Sequence, residues 1–241
     1  MLLTDQHGQS VDFKIPTKYK KILVNVSGGA DSALLLYLIV KYVQNNINDA
    51  EVNVMTLANR AKADWNARKA ADVIHYVITR TNFQNFNMHY TFYRDEQEMH
   101  YFEKVQKDLF EQNKFDFFAH GTTANPQGDV FVTNTDNIVV NLKDNTLSDR
   151  DPRNYNLIDE HEHNGKTFAV MNPWYNVDKR FIAEQYDKFN LRKDLLPLTR
   201  SCEVRPYHLG ISDKIYGKDF ENTPCGKCWW CLERKWAFGY F

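Results

Sequence analysis

The segment KILVNVSGGADSALLLYLIV, Lys21 to Val40, constrains the fold more than any other part of the chain. Lys21–Val26 has the apolar run of a buried strand, and from about Ala30 to Asn45 the apolar residues continue as a helix. Between them stands a turn of serines, glycines and an aspartate. A strand that passes through so short a turn into a helix opens a β-α-β unit, and that commits the next strand to a parallel neighbour.

The alternation continues. Glu51–Leu57 reads as a second strand, followed by a helix from Ala63 to about Arg80 with Ala67, Ala70, Ala71, Ile74 and Val77 at helical spacing. Met88–Tyr93 is a third strand, Glu96–Gln112 a third helix and Phe115–Ala119 a fourth strand. Thr167–Met171 is a fifth, with a helix near Asp178–Phe189. This order predicts an α/β fold: a Rossmann-like parallel sheet with helices on both faces. From about Gly121 to Gly165 the pattern breaks into a polar stretch with one strand-like piece, Asn137–Asn141, as binding loops and lids do. The expected organisation is a polar leader over 1–20 and a nucleotide-binding domain over 21–198, whose 121–165 segment serves as substrate loop or lid. A small C-terminal element occupies 199–241.

A chain of 241 residues suits one such domain with an appendage, and 43% apolar content is enough for a sizeable core. Lys and Arg number 30 against 31 Asp and Glu, a balance that argues against nucleic acid as the direct substrate. The first residues lack the apolar centre of a signal peptide, and the longest apolar run, Ala33–Val40, is far short of a bilayer. The expectation is a cytoplasmic protein with no membrane partner, compatible with a homodimer.

In an open parallel sheet, the turn SGGADS (Ser27–Ser32) falls at the carboxyl edge, where ligands bind. Glycines there allow backbone angles closed to other residues and let a ligand approach the main chain. Amides from Val26 through Ser27, Gly28, Gly29 and Ala30, with the start of the helix, form an anion-binding concavity. Ser27 and Ser32 add hydroxyls, and Asp31 suits a magnesium ion bridging phosphates. Neither the Gly-Lys-Ser/Thr ending of a P-loop nor a G-x-G-x-x-G fingerprint is present. By geometry Thr56, Leu57 and Ala58 after the second strand, and Gly121 after the fourth, face the same edge.

Cys225, Cys228 and Cys231 are spaced C-x2-C-x2-C, and Cys202 lies 23 positions before the first. Four thiolates so arranged close a tetrahedral zinc site, and the spacing equally serves an iron–sulfur cluster. The bound group would order a tail whose core burial looks thin.

SGGADS resembles the SGGxDS signature of the N-type ATP pyrophosphatases, the PP-loop superfamily. Pro173–Cys202 and the tail CGKCWWCLERKWAF (Cys225–Phe238) are similar to segments of one branch, the 7-cyano-7-deazaguanine synthases of the queuosine pathway. The matching segments cover about a quarter of the chain. The resemblance implies an ATP-dependent ligase that converts 7-carboxy-7-deazaguanine and ammonia to the nitrile through an acyl-adenylate, releasing AMP and diphosphate. It implies ATP and Mg2+ at the turn, with Asp31 and Ser32 in catalytic roles and Lys179, near a helix start, on a phosphate. Because such chemistry needs no electron transfer, it favours Zn2+ at the cysteines. The family's Gly-Tyr-Pro-Asp-Cys-Arg segment is missing, and the turn reads HGTTANPQGDVF (His120–Phe131) instead. Asp151 and Arg153 in SDRDPRNY are the candidates to replace it at the deazapurine carboxylate.

His120 follows a strand at the ligand edge but reads first as structural. His161 and His163 read as solvent-facing loop residues rather than a metal pair, and Trp229, Trp230 and Trp236 as packing around the cysteine knot. The rival readings are adenylation of a different carboxylate or of a protein end, a tRNA-thiolating PP-loop enzyme, and a non-catalytic nucleotide-binding protein.

Overall fold

The computed structural model describes residues 1–59, 65–94, 101–146, 150, 157–202 and 223–241. The segment expected as a polar leader is instead a β-hairpin, β1 (Leu2–Thr4) against β2 (Ser10–Asp12), with Leu3 opposite Val11. Its inward side chains, with Phe13 and Ile15 beyond it, join the main hydrophobic core. Polar composition hid this because strands of three residues expose every second side chain.

The doubly wound part follows in chain order. β3 (Lys21–Asn25) leads to α1 (Ala30–Asn46), β4 (Glu51–Asn59) to α2 (Asn66–Thr81), and β5 (Phe86–Arg94) to α3 (Tyr101–Glu111). After β6 (Phe117–Ala119) come a short hairpin, β7 (Phe131–Thr133) with β8 (Val139–Asn141), and the antiparallel pair β9 (Ile158–His163) and β10 (Lys166–Met171). Helices α4 (Lys179–Lys188) and α5 (Trp229–Phe238) follow. The main sheet has the order β5-β4-β3-β6-β10-β9, parallel except for the edge strand β9.

Alternation along the strands shows how the faces are covered. Ile22, Val24, Val52, Val54, Phe117 and Ala119 point to the side carrying α1, α2 and α4. Leu23, Met55 and Phe118 point to the other, where Val105, Leu109 and Phe110 of α3 meet them. α1 is buried almost all round over Ala33–Val40, which is why its sequence is a continuous apolar run rather than a stripe. α2 buries Ala70, Val73, Ile74 and Val77, an i, i+3, i+4, i+7 face. Ala71, expected on that face, is exposed, and Val73 takes its place. Among the described residues no helix is long and apolar enough to cross a membrane.

Candidate active site

From β3 the sheet grows one way through β4 and β5 and the other way through β6 and β10. Such a reversal opens a crevice at the carboxyl ends of the two central strands. The turns after β3 and β6 meet there in one cleft of about 140 Å³, lined by Ser27, Gly29–Ser32, Thr122 and Thr123. Asn66 of α2, Lys179 of α4, Trp230 of α5, Arg150, Arg200 and Ser201 complete its walls.

The turn is wired internally. The Ser27 amide donates to Ser32 Oγ at 3.1 Å, and Ser32 Oγ donates to the Gly29 carbonyl at 3.2 Å. The two adjacent glycines differ. Gly28 has φ +81°, and a Cβ there would stand 2.8 Å from Lys69 Cβ and 3.2 Å from the Ala70 amide nitrogen. Gly29 is the N-cap of α1 with ordinary extended angles, φ −84° and ψ 166°. As N-cap, Gly29 offers no side chain to the first amides of this helix, whose residues Ala30 and Asp31 line the cleft. Two contacts brace the turn from outside: the Arg200 amide donates to the Gly28 carbonyl at 2.8 Å, and Tyr186 Oη donates to the Ala30 carbonyl at 2.9 Å. Burial raises the Tyr186 phenol well above its ordinary pKa, which keeps it a donor.

Four charges run in alternating order beside the turn. Lys179 Nζ is 2.5 Å from Asp31 Oδ2 and 3.4 Å from Glu233 Oε2, and Glu233 Oε1 is 2.5 Å from an Arg150 Nη2 donor. Lys179, Glu233 and Arg150 are 4%, 0% and 3% exposed, so none is the solvated surface charge that its type usually is. Buried charges persist when paired, and this chain of four sums to zero. Arg150 also donates to the Thr123 carbonyl and hydroxyl, each at 2.7 Å, and lies over the rings of Trp229 and Trp230. Among the described residues, three buried atoms of this charge network have no hydrogen-bond partner: Asp31 Oδ1, Arg150 Nη1 and Glu233 Oε2, the last 3.4 Å from Lys179 Nζ. A buried polar atom left open in the wall of a cleft is what a ligand site leaves.

The structure gathers Ser27, Gly29, Ala30, Asp31, Ser32 and Lys179 at the cleft. Gly28 packs beneath the turn, and Val26 is buried with its amide on the Met55 carbonyl. Thr56, Leu57 and Ala58 are not cleft residues. Thr56 is fully buried between the Val26 carbonyl and His89, Ala58 is buried, and Leu57 packs toward the α3 side. Gly121 serves packing, since a Cβ there would stand 2.9 Å from the Trp174 ring. Asp151 and Arg153 lie outside the described residues.

The sequence reading missed Arg150, Arg200, Asn66 and Glu233, and it preferred packing for Trp230 over stacking on a base. A helix over 229–238 carries Trp230 and Glu233 at i, i+3, on one face, and that spacing is the signal available in advance. His120 sits between Phe118 and Tyr175, and burial lowers its pKa to about 4, so it is neutral at physiological pH. His161 and His163 stand on the edge strand β9, not on a loop. His161 stacks on Phe168, and His163 is 3.0 Å from Glu111.

The four cysteine sulfurs lie within 4.8 Å of one another, with Cys225–Cys231 at 3.8 Å and Cys202–Cys228 at 4.0 Å. Thiolates on a tetrahedral ion at about 2.3 Å stand about 3.8 Å apart, which matches these separations. A four-iron cube holds its thiolates at separate irons and so spreads them wider. The knot is continuous with the cleft. Cys202 follows Arg200 and Ser201, Cys228 is the N-cap of α5, and Cys231 lies between Trp230 and Glu233. A metal held here would therefore also hold one wall of the site.

The sequence matches no family model and none of the curated proteins. Among solved structures, the chain is similar to the U34-tRNA thiolase NcsA from Methanococcus maripaludis with its [4Fe-4S] cluster, at 12% identity and TM-score 0.45, over 92% of this chain and 71% of that one. NMN synthetase from Francisella tularensis is similar at 13% identity and TM-score 0.41, over 92% and 84%. FMN adenylyltransferase from Candida glabrata, in complex with FMN and the ATP analog AMPCPP, is similar at 12% identity and TM-score 0.38 over 67% of this chain. The match spans 46%, about half, of that adenylyltransferase's length. At such identities the chemistry of the site rests on this chain's own residues.

Proposed function

We propose that the protein is an ATP-dependent carbon–nitrogen ligase of the PP-loop type, which adenylates a carboxylate, releases diphosphate and passes the acyl group to ammonia. The observation that carries this reading is the cleft itself: an uncapped helix start beside the Gly28 turn, with Asp31 Oδ1 open and buried in its wall. The amides at Gly29–Asp31 and the Ser27 hydroxyl would take up charge as diphosphate leaves, and fixed dipoles do this without reorganisation. Lys179 occupies Asp31 Oδ2 and leaves Oδ1 as the open carboxylate oxygen. That oxygen fits magnesium, which when bound would neutralise phosphate charge at the leaving group. Zinc is the metal we assign to Cys202, Cys225, Cys228 and Cys231, from the close sulfur spacing, with the role of holding α5 and the Arg200–Cys202 segment against the turn.

For the substrate, the motifs around Ser27, Pro173 and Cys225 support 7-carboxy-7-deazaguanine and the nitrile 7-cyano-7-deazaguanine as product. The carboxylate would displace diphosphate from one ATP, and ammonia would displace AMP to leave an amide. A second ATP would activate the amide oxygen, whose loss with AMP yields the nitrile. Incubation of purified protein with magnesium, ATP, ammonium and 7-carboxy-7-deazaguanine tests this by mass spectrometry. Cyano product with AMP and diphosphate is the expected result, and folded, metal-loaded protein giving none of the three would refute it. One observation favours a second reading: HGTTANPQGDVF stands where the family carries its deazaguanine segment. The same adenylating chemistry on another carboxylate, including a protein end, would give AMP formation that does not depend on the deazapurine.

A further inference from the structure

We propose that Arg150 is a diphosphate-binding residue, closing on the phosphate chain from the side opposite the glycine turn. This rests on the reading of the cleft as an ATP site, and it adds a residue that neither the turn motif nor the cysteine tail contains. Arg150 lines the same cleft as Ser27 and Gly29, yet it belongs to the β6 side, through its bonds to Thr123 and Ala124.

Its bonding sets it apart from Lys179. Lys179 stands between two carboxylates, Asp31 and Glu233, so its charge is already matched twice. Arg150 meets one carboxylate, through Nη2, while Nε is spent on the Thr123 carbonyl. Nη1 is buried and has no hydrogen-bond partner among the described residues. Glu233, itself fully buried, and the rings of Trp229 and Trp230 fix the guanidinium plane. A planar guanidinium held on one edge and open on another is suited to an oxyanion, and arginine matches phosphate oxygens in a way a point charge does not. Burial among aromatic rings strengthens the attraction by excluding water. The chain of charges then has two ends: the unpartnered carboxylate oxygen of Asp31 for a cation, and the unpartnered Nη1 of Arg150 for an anion. A magnesium diphosphate carries both complements.

The test is calorimetric titration of the full-length, metal-loaded chain with inorganic diphosphate in magnesium, and separately with the magnesium complex of the ATP analog AMPCPP. The proteins are wild type, Arg150→Gln and Arg150→Lys, each checked by melting. The glutamine variant should bind diphosphate about ten- to a hundredfold more weakly, the range for a lost charged hydrogen bond. Arg150→Lys keeps the partner charge for Glu233, so it guards against a glutamine variant that fails to fold. It offers no second limb to the ligand and should remain about tenfold weak. Diphosphate affinity within twofold of wild type in either folded variant overturns the assignment, whether or not Arg150 then proves to serve the acceptor. If wild type binds neither ligand, the ATP reading falls and takes this one with it. If wild type binds both and the variants match it, only the Arg150 assignment falls.

Discussion

Gly28 and Gly29 are neighbours in sequence with opposite physical demands, and replacing each by alanine measures the difference. At Gly28, alanine must adopt φ +81°, which costs about 1–2 kcal/mol for an L-residue. Its Cβ would also press to 2.8 Å from Lys69 Cβ and 3.2 Å from backbone atoms of Asn66 and Ala70. Backbone cannot rotate away as a side-chain end can, so overpacking adds about 1–3 kcal/mol. The total, about 2–5 kcal/mol, corresponds to a melting point lower by roughly 5–15 °C for a chain of this size. At Gly29 the angles are ordinary, and the nearest neighbour of a Cβ is Ser27 Oγ at 3.4 Å. Alanine is a weaker N-cap than glycine by about 0.5–1 kcal/mol but narrows the unfolded ensemble by about 0.4–1 kcal/mol, so Gly29→Ala should stay within about 0.5 kcal/mol of wild type. Equilibrium urea unfolding followed by circular dichroism reads both variants. Equal midpoints for the two, or Gly29→Ala as the less stable, would refute the claim that one glycine serves the turn's conformation and the other only its access.

Asp31→Ala should lower AMP formation by about a thousandfold or more and lower the melting point without unfolding the chain, because Lys179 keeps Glu233 but now shares it with Arg150; normal turnover in the folded variant would remove Asp31 from the chemistry. Cys228→Ser should reduce bound metal and lower the melting point, and full metal retention by elemental analysis would contradict a four-cysteine centre. Glu233→Leu leaves Arg150 and Lys179 buried without their shared carboxylate and should cost about 3–5 kcal/mol in urea unfolding, against little change if the network is incidental. His120, with its folded pKa lowered to about 4 against about 6.5 when unfolded, binds its proton more readily in the unfolded chain. Its contribution to stability is therefore full above about pH 6.5 and lost as pH falls toward 4, and His120→Gln should flatten that part of the stability–pH curve.

Local pattern and spacing determined a good deal of this protein. The order of the parallel strands β3, β4, β5, β6 and β10 and of helices α1 to α4 followed from apolar periodicity, because burial on one face or two leaves its period in the sequence whatever the partner. The turn Ser27–Ser32 and the knuckle Cys225, Cys228 and Cys231 were legible for a similar reason: a helix start and a C-x2-C-x2-C knuckle each draw on residues a few positions apart. Where elements were very short or polar, as with the first hairpin and the edge strand bearing His161 and His163, composition outweighed pattern and the reading failed. Tertiary structure alone decided which glycine takes a positive φ, that Lys179 is buried between two acids, and that Thr56 faces its neighbouring strand rather than the cleft. It alone joined Asp31, Lys179, Glu233 and Arg150, whose positions span 202 residues of chain. Periodicity is a property of one segment meeting water or core. Whether a buried oxygen or nitrogen finds a partner depends on every segment that reaches it, and only the folded chain brings those together.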